Sequence, residues 1–185
     1  LLPSADAVVI DEAHQLPDVA AVFLGFVVST RQLQALTCDL AAEMLNGAPR
    51  IDLSASQTIE RHIVDLQDAF GGSAERMEID RWPSTAFEGL EQLQRSMREL
   101  VRSLGSVEHA GLVAIRGRAL EIAERIDTLL EREEANAEGV RWAQQSNTNL
   151  SLHYAPIDVA TPLSELIGAH AGAWIRASAT LAVAD

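Results

Sequence analysis

The apolar positions of this chain first run together, then recur at helical spacing for most of its length, and run together again near the end. Residues 5–10, closing on Ala7-Val8-Val9-Ile10, are apolar on both faces, as a strand buried in a parallel sheet must be. Leu16-Pro17 is expected to end the short turn that follows. Ser29 with Gln32 spells a capping box, and Leu33, Leu36, Leu40 and Met44 then recur on one helix face. Asn46-Gly47-Ala48-Pro49 stops that helix with a left-handed cap and then a breaker. Ser54 with Gln57 opens a second helix carrying Ile59, Ile63, Leu66 and Phe70. From Gly71 to Pro83 no period holds, and a loop is predicted.

Two stronger helices come next. Thr85 and Glu88 spell a third capping box, and Phe87, Leu90, Leu93, Met97, Leu100 and Leu104 form one stripe. Gly105-Ser106 turns the chain, after which Leu112, Ile115, Ala119, Ile122, Ile126 and Leu129 alternate at steps of three and four. Two long amphipathic helices across a short turn predict an antiparallel hairpin with Leu93, Met97, Leu100, Ile115, Ile122 and Ile126 buried. Val140 and Trp142, then Leu150, Leu152 and Tyr154, alternate with polar residues around Ser146-Asn147-Thr148-Asn149, the pattern of a β-hairpin. Thr161-Pro162 is a helix start, with Leu163, Leu166 and Ile167 as its buried face. Ala173-Trp174-Ile175-Arg176-Ala177 reads as a second core strand. The fold class is therefore mainly α: a helical insert with a long hairpin, set on a small parallel strand pair. Strands 7–10 and 173–177 stand roughly 160 residues apart, far beyond an ordinary parallel crossover, yet they are expected to pair in parallel. That pairing would bring Asp11 and Ser178 to one C-terminal strand edge, where open α/β sheets hold their ligands.

Composition narrows the chemistry. Among 185 residues, 27 acids against 14 bases leave a net charge of −13, which argues against a free-standing nucleic-acid binder but permits local arginine clusters. All 14 bases are arginine, so a phosphate-cradling loop ending in Gly-Lys-Ser/Thr cannot come from this chain. The single cysteine, Cys38, excludes an internal disulfide and an iron–sulfur ligand set. It suits a reducing compartment, and its place between Leu36 and Leu40 predicts a small buried filler. No apolar run is long enough to span a membrane. His62, His109, His153 and His170 lack metal-ligand spacing, and Trp82, Trp142 and Trp174 are too scattered for a base-stacking platform.

Asp11-Glu12-Ala13-His14 directly follows the first apolar strand, and Ser178-Ala179-Thr180-Leu181 directly follows the second. A strand that delivers two adjacent carboxylates can place one at a magnesium-bound phosphate and the other at an attacking water. The bland alternatives are acids that cap a turn and small hydroxyl residues that form one. Arg95, Arg98 and Arg102 share a helix face; with Glu91 and Glu99 nearby they read first as a solvated face, and alternatively as a strip along a single-strand channel.

In that order and context, the two motifs resemble motifs II and III of superfamily 2 helicases, specifically the DinG/YoaA/XPD-like DNA helicases. The family more usually has Thr-Ser-Ala-Thr-Leu at the second motif, where Ala177 replaces the leading threonine here. The resemblance implies a motor strand of a RecA-like P-loop NTPase domain at 1–15, a helical Arch-like domain at 16–154, and a return helix and motor strand at 155–185. It implies that Asp11 helps hold the magnesium of MgATP, that Glu12 orients and deprotonates the attacking water, and that His14 touches the coupling motif of Ser178, Ala179 and Thr180 and relays nucleotide state to the DNA path. The cofactors it implies are ATP and magnesium in the full-length enzyme, with an iron–sulfur cluster only from a domain upstream. The partners it implies are single-stranded or forked DNA and a protein bound by the Arch-like domain, in a cytoplasmic, nucleoid-associated bacterial enzyme of DNA repair or replication moving 5′ to 3′. The segment alone is expected to be inactive, with uncovered strand faces that invite dimerisation. Two other readings stay open: an acidic helical interaction module with a vestigial motor motif, and a nuclease-type family member.

Overall fold

The computed structural model describes residues 6–49, 54–71, 76–131, 139–146, 149–169 and 172–178. These fall into two compact units, one of Val27–Asn136 with Arg141–Tyr154, the other of Leu1–Phe26, Ala137–Val140 and Ala155–Asp185. The chain thus passes into the helical unit at 26/27. The helix after His14 clusters with the chain ends.

The helical unit contains α2 (Thr30–Leu45), α3 (Ser54–Ala69), α4 (Ser84–Ser103) and α5 (Ala110–Leu130). The capping box at the head of α2 forms as spelled: Gln32 N–H donates to Ser29 Oγ at 3.3 Å and Ser29 N–H to Gln32 Oε1 at 2.9 Å. At its other end Gly47 takes φ 94°, which lets Ala48 N–H reach Glu43 O at 3.0 Å and close the helix in a Schellman motif. The third capping box does not form. Pro83 is the N-cap of α4, so the helix begins one residue before Thr85 and has no side-chain cap there.

Helices α4 and α5 form the predicted antiparallel hairpin: Gln94 and Arg98 of α4 both bond Asp127 of α5, while Arg116 reaches back to the carbonyls of Leu104 and Gly105. All six residues expected in its seam are buried. Each such side chain withdrawn from water contributes about 1.5–3 kcal/mol of transfer free energy. A surface ion pair adds only about 0.2–1 kcal/mol, so the apolar seam holds the hairpin together and the polar bonds set its register.

A four-stranded sheet in the order β2-β5-β4-β3 completes this unit, with β2 at Phe26–Ser29, β3 at Arg76–Glu78, β4 at Gly139–Ser146 and β5 at Asn149–Pro156. The hairpin pattern at 140–154 is borne out; β2 and β3 are additions that the sequence reading missed. The stretch expected as a loop from Gly71 onward holds β3, then a 3₁₀ turn at Ile79–Arg81, then a buried Trp82. Trp82 Nε1 donates to Met77 O at 3.0 Å, and its ring meets Phe70 edge-on at 5.5 Å. Thr30, fully buried, joins α2 to the sheet: it donates to Asn149 Oδ1 at 3.2 Å and accepts from Leu150 N–H at 3.1 Å. Cys38 is exposed, because it points away from the face that carries Leu36 and Leu40.

The second unit contains β1 (Ala7–Ile10), α1 (Leu16–Leu24), α6 (Ala160–Gly168) and β6 (Ala173–Arg176). The 3₁₀ turn of Ala13–Gln15 ends at Leu16-Pro17, and Pro17 stands in the first turn of α1, where a missing N–H costs nothing. Strands β1 and β6 pair in parallel as predicted, in register from Ala7 with Ala173 through Ile10 with Arg176. They are not buried on both faces. Val9 is 65% and Ile175 52% exposed, because two strands alone have no second layer on that side, and Trp174, on the opposite face and expected in a core, is half-buried. Helix α6 likewise buries no residue fully, and Leu166 is exposed. Its start lies one residue earlier than Thr161, and Asp158 holds it: Oδ1 accepts from Ala160 N–H at 2.8 Å and Oδ2 from the Thr161 hydroxyl at 2.7 Å. The Thr161 hydroxyl, aided by the two backbone N–H groups, keeps the Asp158 carboxyl below its ordinary pKa. No helix among the described residues is long and apolar enough to cross a membrane.

Candidate nucleotide-hydrolysis site

Backbone bonds carry the strand pairing past the strand ends and lock the two following loops together. Ala177 N–H donates to Ile10 O and Ala13 N–H to Ala177 O, each at 2.9 Å. Between those bonds the chain must turn sharply out of β1. It does so at Glu12, whose φ of 52° lies in the left-handed region. A 3₁₀ turn over Ala13–Gln15 follows and leads into α1.

This geometry sets the side chains. Glu12 N–H donates to Asp11 Oδ1 at 2.9 Å, which fixes one oxygen of Asp11. His14 Nδ1 lies 2.9 Å from Ser178 Oγ and 3.1 Å from Glu12 Oε2, so one ring nitrogen faces a hydroxyl from the second loop and a carboxylate from its own. Depending on the tautomer, Nδ1 donates to Glu12 or accepts from the Ser178 hydroxyl. Asp11, Glu12 and His14 are exposed and Ser178 is half-buried. The four residues therefore stand together at the C-terminal edge of the β1–β6 pair, as expected; Ala179 and Thr180 lie outside the described residues.

No group of three or more His, Cys, Asp or Glu among the described residues could cage a metal ion. An exposed Asp11 fits magnesium of the kind held by one or two carboxylates plus substrate phosphates. Among the histidines away from this edge, His62 bonds Ser96 Oγ at 3.1 Å and His153 stacks on Trp142 at 4.8 Å; His170 lies outside the described residues.

The three candidate DNA-contact arginines share α4 but not one environment. Arg95 pairs with Glu91 at 3.9 Å, and Arg102 Nε donates to Arg98 O at 3.3 Å. Arg98 is bound across the hairpin to Asp127, a partner that helical spacing within α4 could not reveal.

Over its whole length the chain matches, in sequence, a segment of DinG-family DNA helicases. It is 30% identical over 199 residues to the ATP-dependent DNA helicase YoaA of Escherichia coli K12, a match that covers 100% of this chain and 30% of that protein. It is 28% identical over 202 residues to the ATP-dependent DNA helicase YoaA of Haemophilus influenzae, covering 99% of this chain and 29% of that protein. The chain thus spans about 30% of the length of these curated relatives. Among solved structures, Xpd4 of S. tokodaii matches 95% of this chain and 33% of its own at 19% identity, with a TM-score of 0.47. No family model matches.

Proposed function

We propose that the longer protein to which this segment belongs is an ATP-dependent DNA helicase that moves 5′ to 3′ on single-stranded DNA in repair or replication. The observation that carries this reading is the 2.9 Å contact of His14 with Ser178 beside the Asp11-Glu12 pair, at one edge of a parallel strand pair. In this reading Asp11, through its unfixed oxygen, helps hold magnesium on the ATP phosphates, and magnesium supplies charge neutralisation there. Glu12 orients and deprotonates the attacking water, and the His14–Ser178 contact couples the nucleotide site to movement on DNA. The helical unit is the Arch-like insertion, and an iron–sulfur cluster belongs to a region upstream. The segment alone is inactive, because with no lysine it lacks the group that reaches the β- and γ-phosphates.

The full-length protein with Glu12→Gln tests this. A neutral amide cannot take the proton, while Asp11 is left in place. Nucleotide binding is expected to persist with ATP turnover lost; wild-type turnover would remove Glu12 from this role.

A further inference from the structure

The four-stranded sheet buries one face, with Val28, Ala143, Leu150 and Leu152 turned inward. Strand alternation sends Trp142 and Gln144 of β4 and His153 of β5 to the other face, and the β3–β4 register sets Arg76 opposite Gln144 and Glu78 opposite Trp142. On that face the His153 ring lies parallel to the Trp142 indole, 6° off at 4.8 Å between centroids. The Arg76 guanidinium lies over the same indole at 4.1 Å. Arg76 and His153 come from strands on opposite sides of β4, so the indole is covered from both sides.

The two covers differ in kind. His153 is half-buried, and burial, with the Arg76 charge adding to it, holds its pKa below the ordinary imidazole value. It is therefore a neutral ring at physiological pH and a fixed backing for the indole. Arg76 is exposed, and among the described residues it has no carboxylate partner, whereas Arg95, Arg98, Arg118 and Arg125 each have one. In a chain with 27 acids and 14 arginines, an arginine left on an indole is available to an outside anion. An exposed cation–π contact is weak enough to be exchanged for a stacked base.

We propose that this column is a seat for one base of a single-stranded nucleic acid: the base takes the Trp142 face that Arg76 covers, and the guanidinium moves to an adjacent phosphate. A flat π-surface on an open sheet face, with a cation beside it, is the chemistry by which bases of a single strand are bound without sequence preference. Gln144, exposed on the same face, adds hydrogen-bonding capacity; Glu78, opposite Trp142, opposes the strand by charge. The choice of DNA over RNA rests on the helicase reading above, whereas the seat itself does not.

The test uses the 185-residue chain with labelled oligo(dT), oligo(U) and a blunt DNA duplex, at several salt concentrations. Oligo(dT) is expected to bind and quench tryptophan emission. Trp142→Ala should weaken binding roughly 5- to 100-fold, and Trp142→Phe, which keeps a stacking ring, should retain most of it. Arg76→Gln should weaken binding and reduce the log–log salt slope by about 0.7. Glu78→Gln should tighten it, which a purely structural stack would not do. Circular dichroism confirms that each variant is folded. The proposal is overturned by absence of oligo(dT) binding, by equal binding of the duplex, or by folded Arg76 and Trp142 variants that bind as wild type. Equal binding of oligo(U) overturns the assignment to DNA. Failure of the Glu12 experiment in the full-length protein would sink the helicase reading and leave this binding result unchanged.

Discussion

His14 Nδ1 and Ser178 Oγ meet at 2.9 Å although 164 positions separate the two residues. They meet because the loops after β1 and β6 are tied by the Ala13–Ala177 backbone bond, so the contact reports how those two loops are set relative to each other. In the full-length protein, His14→Ala and Ser178→Ala are each expected to lower DNA-stimulated ATP turnover roughly tenfold, a coupling of about 1.4 kcal/mol, with basal turnover less affected. The double variant should be no worse than either single one. Strictly additive losses in a double-mutant cycle would show that the two act separately.

Gly89 is a point of close approach between α4 and α3. A Cβ there would meet Leu66 Cδ1 at 3.3 Å, and Leu66 is buried with little room to give. Gly89→Ala gains helix propensity of about 1 kcal/mol against that small overlap, so near-neutral stability is expected. Gly89→Val adds two further methyl groups to the same contact and should destabilise by about 1–3 kcal/mol. Chemical denaturation compares the two; equal stability of both would show that α3 and α4 do not pack tightly here.

Acid should weaken the helical unit before it titrates the carboxylates. Burial, with Arg61 and Arg95 adding to it against Asp65, lowers the pKa of His62, and burial with Arg76 lowers that of His153. For a histidine whose folded pKa is depressed, the unfolded chain binds the proton more readily. The stabilising difference is therefore fully present above the ordinary imidazole pKa and is lost as pH falls through it toward the folded value. Melting temperature measured between about pH 7.5 and 5.5 should fall, and His62→Gln with His153→Gln should flatten the dependence. An unchanged slope in the double variant would place its origin elsewhere.

Val9 and Ile175 are register neighbours on one face of the β1–β6 pair and leave it apolar and bare. The isolated segment is expected to self-associate through this face and the free strand edges. Val9→Thr with Ile175→Thr keeps β-branched side chains while removing apolar surface, so sedimentation should shift toward monomer. A wild-type segment that stays monomeric at micromolar concentration would sink this prediction.

The elements with the strongest period were the most legible. The α4–α5 seam and the Ser29–Gln32 box follow from local spacing alone, and both form. The parallel pairing of β1 with β6 was legible for another reason: the family resemblance at the two motifs implied neighbours that the intervening sequence could not. What escaped was set by partners distant in sequence. Phe26-Val27-Val28-Ser29 becomes strand β2 because β5 offers it an edge, and Arg76–Glu78 becomes β3 because β4 does. Arg98 could be placed on a helix face but not matched to Asp127. Burial failed where a layer is lacking, at Val9, Ile175 and Leu166, and at Cys38, where neighbours in sequence were mistaken for neighbours on one face.

The left-handed backbone at Glu12 bears on why that residue is a glutamate at all. A side chain with a Cβ in that conformation costs on the order of 1 kcal/mol relative to glycine, and an exposed carboxylate recovers none of it by burial. Selection for a durable fold alone would favour glycine at this position. A carboxylate there is one that fold stability alone does not call for, as the water-activating role proposed for Glu12 requires.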